Sequence, residues 1–140
     1  MKIGLDTSFI VDLIAEDSPR HRATLASYEK HRDAGDEFIL AENALLEAFA
    51  VLSGGPFGIA PREVVRLLEQ DFGDTITAPI RRGLVWDTIH HVIARGFAGR
   101  RIYDAAIALA AFEAGATVML TWNVRHFISV APVGLEIRQP

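Results

Sequence analysis

The stretch KIGLDTSFIVDLI, residues 2–14, carries the reading of the fold. Lys2 to Leu5 has the short apolar character of a buried strand. Phe9, Ile10, Leu13 and Ile14 then recur at helical spacing, and Ser8 is placed to cap the helix they begin. Between the two elements stand Asp6, Thr7 and Ser8. An acid at the end of a strand is either a turn former or a group held there for chemistry.

The rest of the chain repeats the strand-to-helix alternation. Ser18 and Pro19 form a cap and first-turn pair for a helix from about Arg20 to His31, with Leu25 and Tyr28 turned inward, and Gly35 and Asp36 end it. Glu37 to Leu40 reads as a second strand, and ENALLEAFAVLSGG as a helix stopped by Gly54 and Gly55. Pro61 opens another helix, PREVVRLLEQDF. Thr75 to Thr77 is a third strand, Pro79 starts a helix to about Arg95, and Gly96 to Gly99 breaks it. The Ala-rich RRIYDAAIALAAFEAG is a helix ended by Gly115, followed by the strands TVML and LEIR. Such alternation predicts an α/β fold with a mostly parallel sheet of about four to five strands between helices. With 140 residues and no linker, repeat or low-complexity tract, one domain over residues 1–140 is expected.

Composition narrows the function classes. Half of the residues are hydrophobic and 23% are charged, with a mean hydropathy of +0.21, which argues against disorder. No apolar run reaches the roughly 18 residues that cross a bilayer, and no signal-peptide pattern follows Met1, so a cytoplasmic protein is expected. The absence of cysteine excludes a thiolate nucleophile, a disulfide framework and a cysteine zinc site. A net charge of −4 argues against a delocalised basic surface while allowing a local one.

Three acids stand in apolar surroundings. Asp6 ends the first strand, Glu47 sits within NALLEAFAVL, and Asp104 lies in the first turn of the helix that leads to TVML. An ionised carboxylate buried without a partner is strongly penalised, so a partner is expected, either an arginine or a divalent cation shared among the three acids. Taken singly, Asp6 is a turn residue, Asp104 a first-turn acid and Glu47 a salt-bridge partner. Together, with Thr121 to Asn123 just past the TVML strand, they suit one site at the carboxyl edge of a parallel sheet holding a hard cation such as Mg2+ or Mn2+. Arg100, Arg101 and Arg125, with His126, are the nearest cations in sequence for phosphate contact, or else solvated loop charge. The five histidines make no better site: His90 and His91 point about 100° apart on a helix. Trp122 is an apolar anchor, or a platform for a base if exposed. Phe9, Val11 and Ile14, with the helix around Leu25, are expected to be mostly core, with a groove for a second copy or a partner protein as the other reading.

The four segments LDTSFIVDL, ENALLEAFAVL, RIYDAAIALAA and MLTWNVRHF, in this order over nearly the whole chain, resemble the successive motifs of PIN-domain ribonucleases, especially VapC-type toxins of toxin–antitoxin pairs. The resemblance implies an α/β/α sandwich that binds Mg2+ or Mn2+, hydrolyses RNA, often forms homodimers, and is neutralised by a small antitoxin whose tail reaches an acidic groove. It assigns Asp6, Glu47 and Asp104 as the metal-binding and catalytic acids, with Ser8, Thr121 and Asn123 in support. Family members often carry a further acid where this chain has Asn123 or His126, which puts a second metal ion in doubt. The same departure motivates an alternative, a PIN-like RNA-binding or assembly module with weakened or no catalysis. An aspartyl phosphatase fits less well, because it needs an acid where Ser8 stands; a receiver domain would need a phospho-acceptor aspartate near Leu40 to Glu42.

Overall fold

A computed structural model describes residues 1–140. The strands are β1 (Lys2–Leu5), β2 (Glu37–Ala41), β3 (Ile76–Ala78), β4 (Val118–Leu120) and β5 (Glu136–Arg138). They form one sheet in the order β3-β2-β1-β4-β5, and every neighbouring pair is parallel. Parallel neighbours need helical crossovers, and these cover the sheet: α1 (Thr7–Ile14), α2 (His21–Asp33), α3 (Glu42–Ser53), α4 (Pro61–Phe72), α5 (Arg82–Ala94), α6 (Arg101–Glu113) and α7 (Val124–Val130). Their burial matches that arrangement. Ile3, Leu5, Ile39, Leu40, Met119 and Leu120 on the central strands are almost wholly buried, and Phe9, Ile10 and Ile14 of α1 join the same core. Val11 is also buried, so the first helix keeps its apolar side for the core. No helix is long and apolar enough to cross a membrane.

The strand order contains the feature that positions the site. From β1 the chain builds outward to β2 and β3, then returns through α5 and α6 to place β4 on the other side of β1. The order of strand addition, not strand direction, reverses between β1 and β4, whose parallel register pairs Leu5 with Leu120. At such a switch point the loops leaving the two strands diverge and open a crevice at their carboxyl ends. Asp6 follows β1 and Thr121 follows β4, so both stand at that crevice.

Local details differ from the sequence expectations at several ends. Asp6, not Ser8, caps α1: its side chain accepts the Phe9 N–H. Ser18 does not cap α2, which begins at His21; its hydroxyl donates to Asp12 instead. The helix expected from Pro79 begins three residues later, at Arg82, and β3 lies one residue further on than Thr75–Thr77. Helix α7 was not anticipated, since VRHFISV offers only Phe127 and Val130 as a buried pair across barely two turns.

Gly4 shows how tightly α6 lies on the central strand. A Cβ there would stand 2.9 Å from both the Ala111 Cβ and the Met119 Cε. The alanine face of α6 lets the helix approach, and the glycine completes the fit. Gly4→Ala is expected to destabilise the protein by about 1–3 kcal/mol, as overpacking of a filled core does. Chemical denaturation measures this, and a variant as stable as the parent would show that α6 yields freely.

Candidate functional site

Asp6 is 2% exposed, and both of its carboxylate oxygens are held. Oδ1 accepts from the Ser8 hydroxyl at 2.7 Å and from the Phe9 N–H at 2.9 Å; Oδ2 accepts from the Thr121 hydroxyl at 2.7 Å. The hydroxyls are aimed in turn. Ser8 Oγ accepts the Trp122 N–H at 3.1 Å, and Thr121 Oγ1 accepts the Asn123 N–H at 2.9 Å. A hydroxyl that accepts from a backbone N–H has its own proton to give, so the turn after β4 points two O–H donors at one carboxylate. Burial nevertheless dominates: it pushes the Asp6 pKa up to about 6, against the three hydrogen bonds that lower it, and the charge of Asp104 adds to the rise.

Glu47 is half-buried on α3, less enclosed than its apolar neighbours in the sequence imply, because Leu46 beside it is 72% exposed. Its partner within the chain is not the arginine considered from sequence: Oε2 accepts from the Thr7 hydroxyl at 2.9 Å. Asp104, on the first turn of α6, is also half-buried. Burial raises its pKa, while the charges of His126, Arg101 and Arg100 pull it down; His126 Nδ1 stands 3.6 Å from Oδ2.

The three acids come from β1–α1, α3 and α6 and line one open cleft of about 380 Å³, together with Ser8, Asp12, Arg20 and Asn123. Glu47 and Asp104 also line an adjoining hollow of about 360 Å³ with Arg100, Arg101 and His126. Arg125 stands exposed on α7 and lines neither. A larger hollow of about 570 Å³, against the end of α1 and the start of α4, contains none of the three acids. Thus the three acids, Ser8 and Asn123 share a cleft, whereas Thr121, Arg100, Arg101 and Arg125 do not line it, and the acids do not close into a cage: no three carboxylate or imidazole side chains gather tightly enough to enclose an ion. An open arrangement of oxygen donors, one of them buried and facing a neighbouring negative charge, fits a hard cation that keeps much of its water.

Other side chains gain their roles only in three dimensions. Asp12 is a fourth acid of the cleft, buried on α1 and satisfied by Ser18 at 2.5 Å; its apolar setting in FIVDLI was the signal available in the sequence. Thr7, which holds Glu47, and Arg20 left no such signal. Trp122 is no open platform for a base, because the Arg20 guanidinium lies over its ring, 5.1 Å from the centroid. Two histidines serve the scaffold: His91 Nε2 bonds the Val130 carbonyl and His31 Nδ1 the Asp36 carboxylate.

The burial of Asp6 has a consequence for stability. Its folded pKa of about 6 lies above the unfolded value of 3.8, so its contribution is fully present below pH 3.8 and is lost as pH rises through 6. In metal-free protein the parent is therefore expected to lose on the order of 3 kcal/mol of stability relative to Asp6→Asn, which does not titrate in this range, as pH rises from 4 to 8, about two pKa units. The change develops between about pH 4 and 6. Thermal melts of both proteins in EDTA across this range test it, and a stability difference between them that does not change with pH would contradict it.

The wider relationships agree with this architecture. No curated protein is significantly similar in sequence. Among solved structures, VapC20 of Mycobacterium tuberculosis, a sarcin-ricin loop cleaving toxin, superposes with a TM-score of 0.64 at 14% identity over 84% of this chain and 86% of its own. VapBC2 of Rickettsia felis, bound to a promoter DNA fragment, gives 0.65 at 14% identity over 100% and 99%. FitAcB of Neisseria gonorrhoeae gives 0.63 at 19% identity over 99% and 97%. Identities this low establish a shared fold. The PIN domain family itself matches residues 3–131, which take in the first four strands and all seven helices and leave out β5, and the chain belongs to that family.

Proposed function

We propose that this chain is a metal-dependent endoribonuclease of the cytoplasm, hydrolysing RNA phosphodiester bonds as the toxin of a toxin–antitoxin pair. The observation that carries the reading is the meeting of Asp6, Glu47 and Asp104 in one cleft at the β1/β4 switch point of a PIN-family chain. A similar fold in a toxin that cleaves the sarcin-ricin loop supports RNA as the substrate class.

Asp6 and Asp104 are the residues proposed to hold one divalent cation, Mg2+ or Mn2+, with Glu47 beside them. When bound, that ion supplies Lewis acidity toward a phosphate oxygen and lowers the pKa of a coordinated water. The chain's own groups do the rest. Thr121, Ser8 and the Phe9 N–H keep the Asp6 carboxylate in a single orientation. Thr7 holds one oxygen of Glu47 and leaves the other to orient a water or take its proton as the water oxygen attacks phosphorus. The bond to the leaving oxygen breaks, and solvent supplies that oxygen's proton. Asn123 offers a neutral oxygen at the cleft wall. Arg100, stacked near Tyr103, and Arg101, anchored on Ser129 and Phe97, are the proposed phosphate contacts, with Arg125 further out on α7.

The proposed protein partners are a small antitoxin and a second copy of the chain. Val85, Trp86 and Ile93 of α5 and Leu46 of α3 are exposed apolar residues, and α3, α5 and α6 share an apolar groove of about 340 Å³ that a second copy would cover. A second reading, an RNA-binding or assembly module without catalysis, draws on Asn123 and His126 standing where the family motif resembled by MLTWNVRHF often has an acid, and on the open spacing of the carboxylates.

Purified protein incubated with structured RNA separates the two. Cleavage is expected with Mg2+ or Mn2+ and none in EDTA. Glu47→Gln and Asp104→Asn are each expected to slow it by about a hundredfold or more, the scale of general-base and metal-site losses, with the fold retained by circular dichroism. RNA binding without cleavage in either metal, by protein free of any antitoxin, would replace the enzyme with the module.

A further inference from the structure

Arg20 enters the carboxylate cleft from the turn between α1 and α2. Its guanidinium is placed by a chain of contacts. It lies over the Trp122 indole; Trp122 Nε1 donates to Thr24 Oγ1 at 3.0 Å, and Thr24 Oγ1 donates to the Arg20 carbonyl at 2.9 Å. The Trp122 N–H is the group that aims Ser8 at Asp6. Arg20 is therefore stacked on the very turn that locks the buried carboxylate.

Its donors are nonetheless uncommitted. Arg32, Arg66, Arg81 and Arg138 pair with carboxylates, and Arg95 and Arg101 donate to oxygens of α7 or the residue after it. The Arg20 guanidinium makes no ion pair or hydrogen bond within the chain, although Asp12 lines the same cleft; the Asp12 carboxylate takes the Ser18 hydroxyl instead. A planar cation held by its face, with its edge donors free, suits an oxyanion approaching from solvent.

The position of Arg20 gives this meaning. Glu47 and Asp104 line both hollows; Arg20 lines only the first, and Arg100 and Arg101 only the second. Cations thus flank the carboxylates on two sides. Resting on the ribonuclease reading above, we propose that Arg20 binds a backbone phosphate of the RNA strand on the side away from Arg100 and Arg101. The strand then crosses the acids held at both flanks, which presents an internal phosphodiester rather than a chain end. Trp122 acts as the shelf that fixes Arg20, not as a stacking platform for a base.

The bland alternative is a solvated arginine whose stem and face merely pack on tryptophan. The two are separated by binding measurements on protein carrying Glu47→Gln, to suppress cleavage, and Trp86→Phe, which leaves Trp122 as the sole tryptophan. Its emission is followed in Mg2+ as single-stranded RNA about eight nucleotides long, or a dinucleotide with one phosphate, is added. Arg20→Gln is expected to weaken the longer strand about tenfold and to reduce the salt slope of its binding by about 0.7, the value for one single-strand phosphate contact. Dinucleotide affinity and melting temperature should not move. Arg20→Lys should restore the slope but only part of the affinity. An Arg20→Gln protein that binds the longer strand with unchanged affinity and slope overturns the assignment while the nuclease reading stands. A lowered melting temperature with equal losses for both ligands assigns Arg20 to packing and overturns it too. If the parent neither binds the longer strand nor, with Glu47 restored, cleaves RNA, the ribonuclease reading fails and the assignment falls with it.

Discussion

One carboxylate taken out of water organises this molecule. Asp6 stands at the end of the central strand with almost no exposure, and that position is tolerable only because three donors converge on it. Two of the donors are tied to the turn after β4, so the burial of Asp6 requires β4 to lie beside β1 and the Thr121–Asn123 turn to fold over it. The long return through α5 and α6 is what delivers β4 there, and the same return brings Asp104 to the cleft. Sheet topology and site geometry are in this sense one constraint.

The hydrogen bonds do not neutralise the charge they orient. Burial and the nearby Asp104 leave Asp6 well above the ordinary carboxylate range, a condition that a bound cation would reverse. The scaffold thus holds a carboxylate in a fixed direction and in an environment that disfavours its charge. Glu47 is treated differently. It is half-buried, touched by a single hydroxyl, and so less constrained. Beside these acids, Arg100 and Arg101 line the adjoining hollow and Arg20 lines the cleft itself. Negative groups at the centre with positive groups beside them support the proposed metal-assisted work on a polyanion, since uniform negative charge would repel such a substrate.

Several elements were legible from local chemistry alone. Pro61 marks the start of α4, Gly54 follows the end of α3, and the apolar runs of β1, β2 and β4 fall where the structure has them. Helix α7 was not legible, because seven residues with one buried pair carry too little periodicity to register. The cap of α1 was misassigned to Ser8 for a related reason: a serine and an aspartate two residues apart are both good caps, and only the path of the backbone decides between them. Asp12 obeyed the same logic of an acid in an apolar helix that singled out Glu47, yet its demand is met locally by Ser18.

The sequence by itself determined the alternation of strands and helices, the parallel sheet that follows from it, and the identity of three acids too poorly placed for ordinary surface roles. These are matters of periodicity and of burial energy, which short segments express on their own. Only the tertiary structure decided that Asp6 is held by Thr121, 115 residues away, that Glu47 answers to Thr7, and that Arg20 rests on Trp122. Those pairings join loops from different strands, and no local pattern encodes which loops meet. The switch between β1 and β4 brings them together, and the crossing order of the whole chain sets that switch.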